Sequence, residues 1–208
     1  MIVTNEQISS LREKIGKILS PFRFEHTLGV ESMAARLAVL YCPEKENLLR
    51  AAALLHDVTK EKKLDGQLEI FERYGVRLTE EQISVAPTLH ALTAALIIPD
   101  EYPEFADREL IEVIRYHSTG RENMTLSDKI IYLSDYIEET RKYDDCITLR
   151  KAFFDAEPEK MSYDERLLHL DRIILKAFDL TMEDLKAKGK IIGENTLRAR
   201  EFLLRELE

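Results

Sequence analysis

The sequence predicts an all-α fold. Three observations carry this. Apolar residues recur at helical rather than strand spacing. Helix-start signals punctuate the chain from end to end. Only 7 glycines occur in 208 residues, and no alternating apolar/polar run of strand length stands out. These patterns give about nine to eleven helices.

Taken in order, Thr4 with Gln7 has the spacing of a capping box, in which a hydroxyl and an amide three residues on satisfy each other's backbone N–H groups. Ser20 followed by Pro21 reads as an N-cap and a first-turn proline. Thr79 with Gln82 and Ser162 with Glu165 repeat the capping box. Ser127 precedes the run DKIIYLSDYIEET, where Ile130, Ile131, Leu133 and Ile137 keep close to helical period. RLLHLDRIILKAFDL has the same rhythm. The least regular stretches lie around residues 60–66, 99–106 and 142–146. The last of these is read as the seam between a core of residues 1–142 and a C-terminal helical extension of residues 143–208. No linker rich in Gly, Ser or Pro separates the two, so the extension is expected to pack on the core.

Composition narrows the function. At 45% hydrophobic residues the chain has enough apolar material for a substantial core. The net charge of −9 and the pI of about 5.2 argue against sequence-independent nucleic-acid binding, which needs a basic face. No apolar stretch approaches the roughly 18 residues of a membrane span. The N-terminus lacks the layout of a signal peptide. Cys42 and Cys146 make no disulfide framework and read as reduced thiols. The expected compartment is the cytoplasm.

The chemistry lies in the histidines. Of the 5 in the chain, four sit on or at the end of apolar, helix-like runs: His26 in FRFEHTLGV, His56 in AALLHDVTK, His90 in PTLHALTAAL and His117 in VIRYHSTG. Asp57 follows the apolar run AAALL, and Asp135 follows IIYL. Adjacent residues cannot share one face of an ideal helix, but His56 and Asp57 can both reach one ion where a helix ends. Buried Asp and His are costly unless paired or metal-bound. Two carboxylates in need of compensation and four imidazoles able to share it point to one inner site. Its nitrogen and oxygen donors suit iron, manganese, nickel or zinc better than calcium or magnesium. There are too many donors for one ion and no cysteine among them, so a two-metal catalytic site fits better than a structural zinc. His169, in RLLHLDR beside charged residues, is assigned to helix packing. Glu138-Glu139 and Asp144-Asp145 read as solvated faces. Tyr132, Tyr136 and Tyr143 offer stacking surfaces, although aromatics on such helices are more often core.

These residues resemble the HD-domain metal-dependent phosphohydrolases. His26, His56-Asp57 and Asp135 match the defining ligands of that superfamily, and His90 and His117 match its binuclear branch. More narrowly, EHTLGV at 25–30, ALLHDVTK at 53–60, YHSTG at 116–120, KIIYLSDYIEETR at 129–141 and ENTLRAREFL near the C-terminus are similar to the YqeK family. The resemblance implies an HD-domain helical bundle with a C-terminal helical extension. It also implies a hydrolase that cuts diadenosine tetraphosphate symmetrically into two ADP at a di-iron centre. It gives His26, His56, Asp57 and Asp135 to a first metal, with Asp57 bridging to a second that His90 and His117 complete. Phe24 and Ser118 depart slightly from the usual pattern but keep the chemical type.

Catalytic roles fall to Asp57 and Lys60. Lys60 lies three positions past Asp57, so a continuing helical turn would put it beside the metals. Substrate contacts fall to Lys60, Thr59, Ser118, Arg141, His90 and His117. Arg141 is six residues past Asp135, and the family pattern rather than helix geometry brings it to the site. The expected partner is a small nucleotide, with neither nucleic acid nor membrane. A homodimer stays open, with the C-terminal helices as its face. The competing readings are another HD-domain nucleotide hydrolase (a nucleotidase, or a cyclic-dinucleotide or alarmone phosphodiesterase) and a non-catalytic HD signalling module.

Overall fold

A computed structural model describes residues 2–208. Among these residues there are eleven α-helices and no strand. The first three are α1 (Asn5–Gly16), α2 (Pro21–Tyr41) and α3 (Glu46–Leu55). The capping box of Thr4 and Gln7 opens α1, and the Ser20 hydroxyl with Pro21 opens α2. Helix α3 is the central element. Its residues Leu48, Leu49, Ala51, Ala52, Ala53, Leu54 and Leu55 are all buried, because α3 is covered by α1, α2, α7 (Arg108–Tyr116) and α8 (Leu126–Ile137). Glu46, Asn47 and Arg50 keep one edge of its first turns polar, but the run from Ala51 to Leu55 is apolar throughout and suits the middle of a fold. The alanines let α2 approach closely, where Ala34 and Ala38 are also buried.

Between α3 and α7 come α4 (Leu64–Arg73), α5 (Glu80–Ser84) and α6 (Leu89–Glu101). The capping box of Thr79 and Gln82 opens α5. Helix α6 runs through Pro99, so the irregular stretch expected at 99–106 begins later, with a short 3-10 turn at Pro103–Phe105. The start of α8 also differs from expectation. Thr125 is its N-cap, in a capping box with Asp128, and Ser127 lies inside the first turn, where its hydroxyl donates to Glu109.

The remaining helices are α9 (Asp144–Phe154), α10 (Tyr163–Ala187) and α11 (Glu194–Glu206). Helix α10 packs on α8, where Phe178 lies over Tyr132 with ring centroids 4.7 Å apart. The same Phe178 fills the space beside Gly120. That glycine has φ +67°, and a Cβ there would meet the Phe178 ring at 2.6 Å. The turn after His117 therefore needs glycine both for its backbone and for its neighbour. Arg166 donates to the carbonyl of Leu40 at the end of α2, and Tyr41 donates to the carbonyl of Arg166. The C-terminal helices are thus joined to the rest by polar contacts as well as apolar ones. Cys42 and Cys146 are free and buried, and burial pushes their thiols up to about 11 and about 12.

A candidate metal centre where five helices meet

Local chain geometry aims the donors. His56 and His117 stand at the C-caps of α3 and α7, His90 in the first turn of α6, and His26 inside α2. All four rings are buried and turn Nε2 toward Asp57. The two oxygens of Asp57 divide them. Oδ2 lies 3.4 Å from His56 Nε2 and 3.7 Å from His26 Nε2. Oδ1 lies 3.2 Å from His90 Nε2 and 3.8 Å from His117 Nε2. Asp135 closes the first side, with Oδ1 3.1 Å from His26 Nε2 and 4.0 Å from His56 Nε2. Three overlapping donor sets lie within 4.8 Å: His26, His56 and Asp57; His56, His117 and Asp135; and Asp57, His90 and His117.

The opposite ring nitrogens explain the aim. His56 Nδ1 faces the Ala53 carbonyl at 2.6 Å, His117 Nδ1 faces that of Ile114 at 2.7 Å, and His90 Nδ1 faces that of Pro87 at 2.9 Å. A carbonyl can only accept, so each Nδ1 carries the proton and each Nε2 keeps its lone pair. The Nε2 atoms of His90 and His117 then face each other at 3.1 Å. Two lone pairs at that distance repel unless a cation or a hydrogen-bond donor sits against them, and Ser118 and Lys60 are the donors nearby. Two nitrogens bound to one metal at about 2.1 Å are roughly 3 Å apart. His56 Nε2 is buried without a hydrogen-bond partner. These donors fit divalent metal ions.

Charge around the centre is arranged in layers. Burial alone would raise the Asp57 carboxyl, but His56 and His90 outweigh it and hold it well below the ordinary range. Asp135 behaves likewise, with Arg141 and His26 outweighing burial. Burial also works against a proton on His26, yet Asp135 and Glu138 together lift that imidazole to about 9. His117 goes the other way. Burial, then the neighbouring His56 and His90, hold it well below its ordinary value. His90 is lowered chiefly by burial.

The structure places the other predicted site residues as follows. Lys60 reaches the centre, with Nζ 3.2 Å from both ring nitrogens of His90, although it lies in a turn and not on a continuing helix. Burial lowers its ammonium pKa. Ser118 Oγ lies 3.0 Å from Nε2 of both His90 and His117. Arg141 holds Asp135, donating from Nη2 to Oδ1 at 2.6 Å and from Nε to the Asp135 carbonyl at 2.5 Å. The Thr59 hydroxyl is fully buried and donates to the His90 carbonyl at 2.9 Å, beside Thr93, which ties it to His90. His169 stacks on Phe153, with Nε2 3.0 Å from the Phe153 carbonyl.

Two site residues escape the sequence reading. Arg23 donates to Asp57 Oδ2 at 2.7 Å, and its only signal is its place one turn before His26 on α2. Glu138 was read as part of a solvated acidic face but is fully buried, 3.1 Å from His26 Nδ1. Beside the first side of the centre opens a cleft of about 650 Å³, whose lining includes Phe22, Arg23, His26, Arg141 and Tyr143.

The fold is an all-helical domain in which four buried histidines, the buried Asp57 and the partly buried Asp135 converge on one centre suited to metal. The chain belongs to the HD domain family, whose sequence model matches residues 23–140. Divalent-metal binding accompanies that membership. A protein of Bacillus subtilis named "Bis(5'-nucleosyl)-tetraphosphatase, symmetrical" is 31% identical over 187 residues, covering 89% of this chain and 91% of that protein. A protein of the same name from Halalkalibacterium halodurans is 33% identical over 127 residues, which is 60% of this chain but only 65% of that relative's length. A crystal structure of a protein from Clostridium acetobutylicum, described as a predicted HD superfamily hydrolase involved in NAD metabolism, superposes with a TM-score of 0.81 at 30% identity, covering 99% of this chain and all of that one. Among the described residues no helix is long and apolar enough to cross a membrane.

Proposed function

We propose that this chain is a metal-dependent hydrolase that cuts diadenosine tetraphosphate symmetrically into two ADP. The observation that carries the reading is the division of the imidazoles by Asp57, with His26 and His56 nearest one carboxylate oxygen, His90 and His117 nearest the other, and Asp135 against His26 and His56. In this reading His26, His56, Asp57 and Asp135 hold one ion, and Asp57, His90 and His117 hold a second. The mixed nitrogen and oxygen donors, without thiolate, suit iron, manganese, nickel or zinc alike, and the family resemblance makes iron the first choice. When bound, such ions would supply Lewis acidity and would make water easier to deprotonate near neutral pH.

The chain's own residues account for the rest. Cleavage breaks the central P–O–P bond. The oxygen of water joins one inner phosphorus, and the other ADP leaves with the bridging oxygen. Arg23, Lys60 and Arg141 surround the centre with positive charge, against which negative charge on the phosphoryl oxygens is stabilised. This explains how a chain of net charge −9 accepts a polyanion. Ser118 offers a hydroxyl at the rim of the His90–His117 side. The cleft beside His26 has room for one nucleotide half of the substrate. In the same reading residues 1–142 are the phosphohydrolase core and residues 143–208 the extension. Arg150 of α9 donates to the carbonyls of Ile137, Glu138 and Arg141, fixing the turn that carries Arg141.

The test is product analysis. Protein loaded with iron(II) under anaerobic conditions, or with manganese(II), is incubated with diadenosine tetraphosphate and the products are resolved by anion exchange. ADP as sole product supports the reading. AMP with ATP, or activity on monophosphates alone, overturns it.

A further inference from the structure

Four imidazoles meet at the centre, and three orient themselves with a backbone carbonyl three residues earlier. That device is open to His56 and His117 because they stand where a helix ends, and to His90 because α6 starts beside it. His26 has no such choice. It lies inside α2, where the preceding carbonyls already accept helical hydrogen bonds. Its Nδ1 instead faces a carboxylate, Glu138 Oε1, at 3.1 Å. That carboxylate is not solvated. Glu138 is fully buried, and its remaining lone pairs accept from the Thr140 hydroxyl and the Thr140 backbone N–H, each at 2.6 Å.

The opposing helix has made room for it. A Cβ on Gly29 would lie 2.2 Å from Glu138 Oε2. Glycine in a helix interior is unfavourable. At this position its missing side chain is occupied by the carboxylate.

We propose that Glu138 is a positioning residue for the metal centre. Its carboxylate accepts a hydrogen bond from His26 Nδ1–H and so turns the Nε2 lone pair toward the first ion, and Gly29 is the notch that admits it. This rests on the reading of His26 as a metal ligand. A carboxylate behind a ligating histidine fixes its tautomer and makes it a stronger donor. The first ion gains this support, whereas the second is bound by histidines backed only by neutral carbonyls.

The test is metal titration of the metal-free protein, with cobalt(II) as the probe and its absorption as the readout, for wild type, Glu138→Ala, Glu138→Gln and Gly29→Ala. Wild type takes up two ions. In Glu138→Ala one binding step weakens about 10- to 100-fold and the other stays within about threefold. Glu138→Gln loses less, because its amide oxygen still accepts from Nδ1. Gly29→Ala weakens the same step by displacing the carboxylate, and it adds little when combined with Glu138→Ala. If Glu138→Ala does not fold, Glu138→Gln and Gly29→Ala decide. The inference is overturned if both steps keep wild-type affinity, if both weaken alike, or if the Gly29 and Glu138 effects add in full. Two ions bound normally by Glu138→Ala in a protein that still cleaves diadenosine tetraphosphate would sink this inference alone. A selective loss of one step in a protein that cleaves a different nucleotide would sink only the substrate assignment.

Discussion

The two sides of the centre are held by different means. Around Asp57 Oδ2, His26 and Asp135 are gripped by charged groups, namely Glu138 and Arg141, and this side opens toward the cleft. Asp135 is the most accessible ligand, with its side chain 21% exposed. Around Asp57 Oδ1, His90 and His117 are gripped by neutral backbone carbonyls and lie deep in the fold, with Lys60 and Ser118 above them. On the first side His26 is raised by its carboxylate neighbours, whereas on the second His90 and His117 are lowered by burial. The first side is the more accessible, and on the second burial disfavours the charged form of both imidazoles.

Removing Asp57 erases the distinction, since it serves both sides. Asp57→Ala is expected to lose both ions together and to reduce hydrolysis by a factor on the order of 10⁴. Metal analysis showing one ion retained would mean that Asp57 does not bridge. Lys60→Ala separates chemistry from metal holding on the second side. Turnover should fall by about 10², the scale of losing one preorganised cationic or hydrogen-bond donor, while both ions remain by elemental analysis.

The pH response of the metal-free protein reads the two sides separately. His26 is raised from 6.5 to about 9 in the folded state, so its stabilisation is complete below 6.5 and is lost as pH climbs toward 9. His117 is depressed, so the unfolded chain takes up a proton that the folded chain refuses. Its stabilisation is therefore complete above 6.5 and is lost as pH falls below that value. Melting temperatures across pH 5–9 should show His26→Ala flattening the alkaline limb and His117→Ala the acid limb. Exchange of those two phenotypes would reverse the assignment.

Smaller effects follow from the supporting contacts. Thr59→Val leaves the His90 carbonyl without its hydroxyl donor and should cost about 1–3 kcal/mol in denaturant unfolding. His169→Ala, far from both sides, should leave turnover within about twofold while costing about 1 kcal/mol for its bond to the Phe153 carbonyl. A large loss of turnover there would mean that the set of ligands is incomplete.

The helices were legible because their caps are local. Thr4, Ser20, Thr79 and Ser162 satisfy nearby N–H groups whatever the fold does elsewhere. The six donors were legible because each interrupts an apolar run where a bare His or Asp would be too costly. What surrounds them was harder to read. Glu138 and Glu139 look alike in sequence, but α8 ends at Ile137 and Glu138 leaves in an extended conformation that turns it inward. Its signal was the helical glycine opposite, Gly29, which means nothing until the two segments are brought together. Arg23 was within reach of helix geometry, one turn from His26 on the same face. Thr59 carried no signal, because its hydroxyl serves a carbonyl 31 positions away.

The measurement that bears most directly on the centre is anomalous diffraction from crystals of the metal-loaded protein. The expected map has two ions astride Asp57, one among His26, His56 and Asp135, the other against His90 and His117. A single ion, or two that do not share Asp57, would contradict the account.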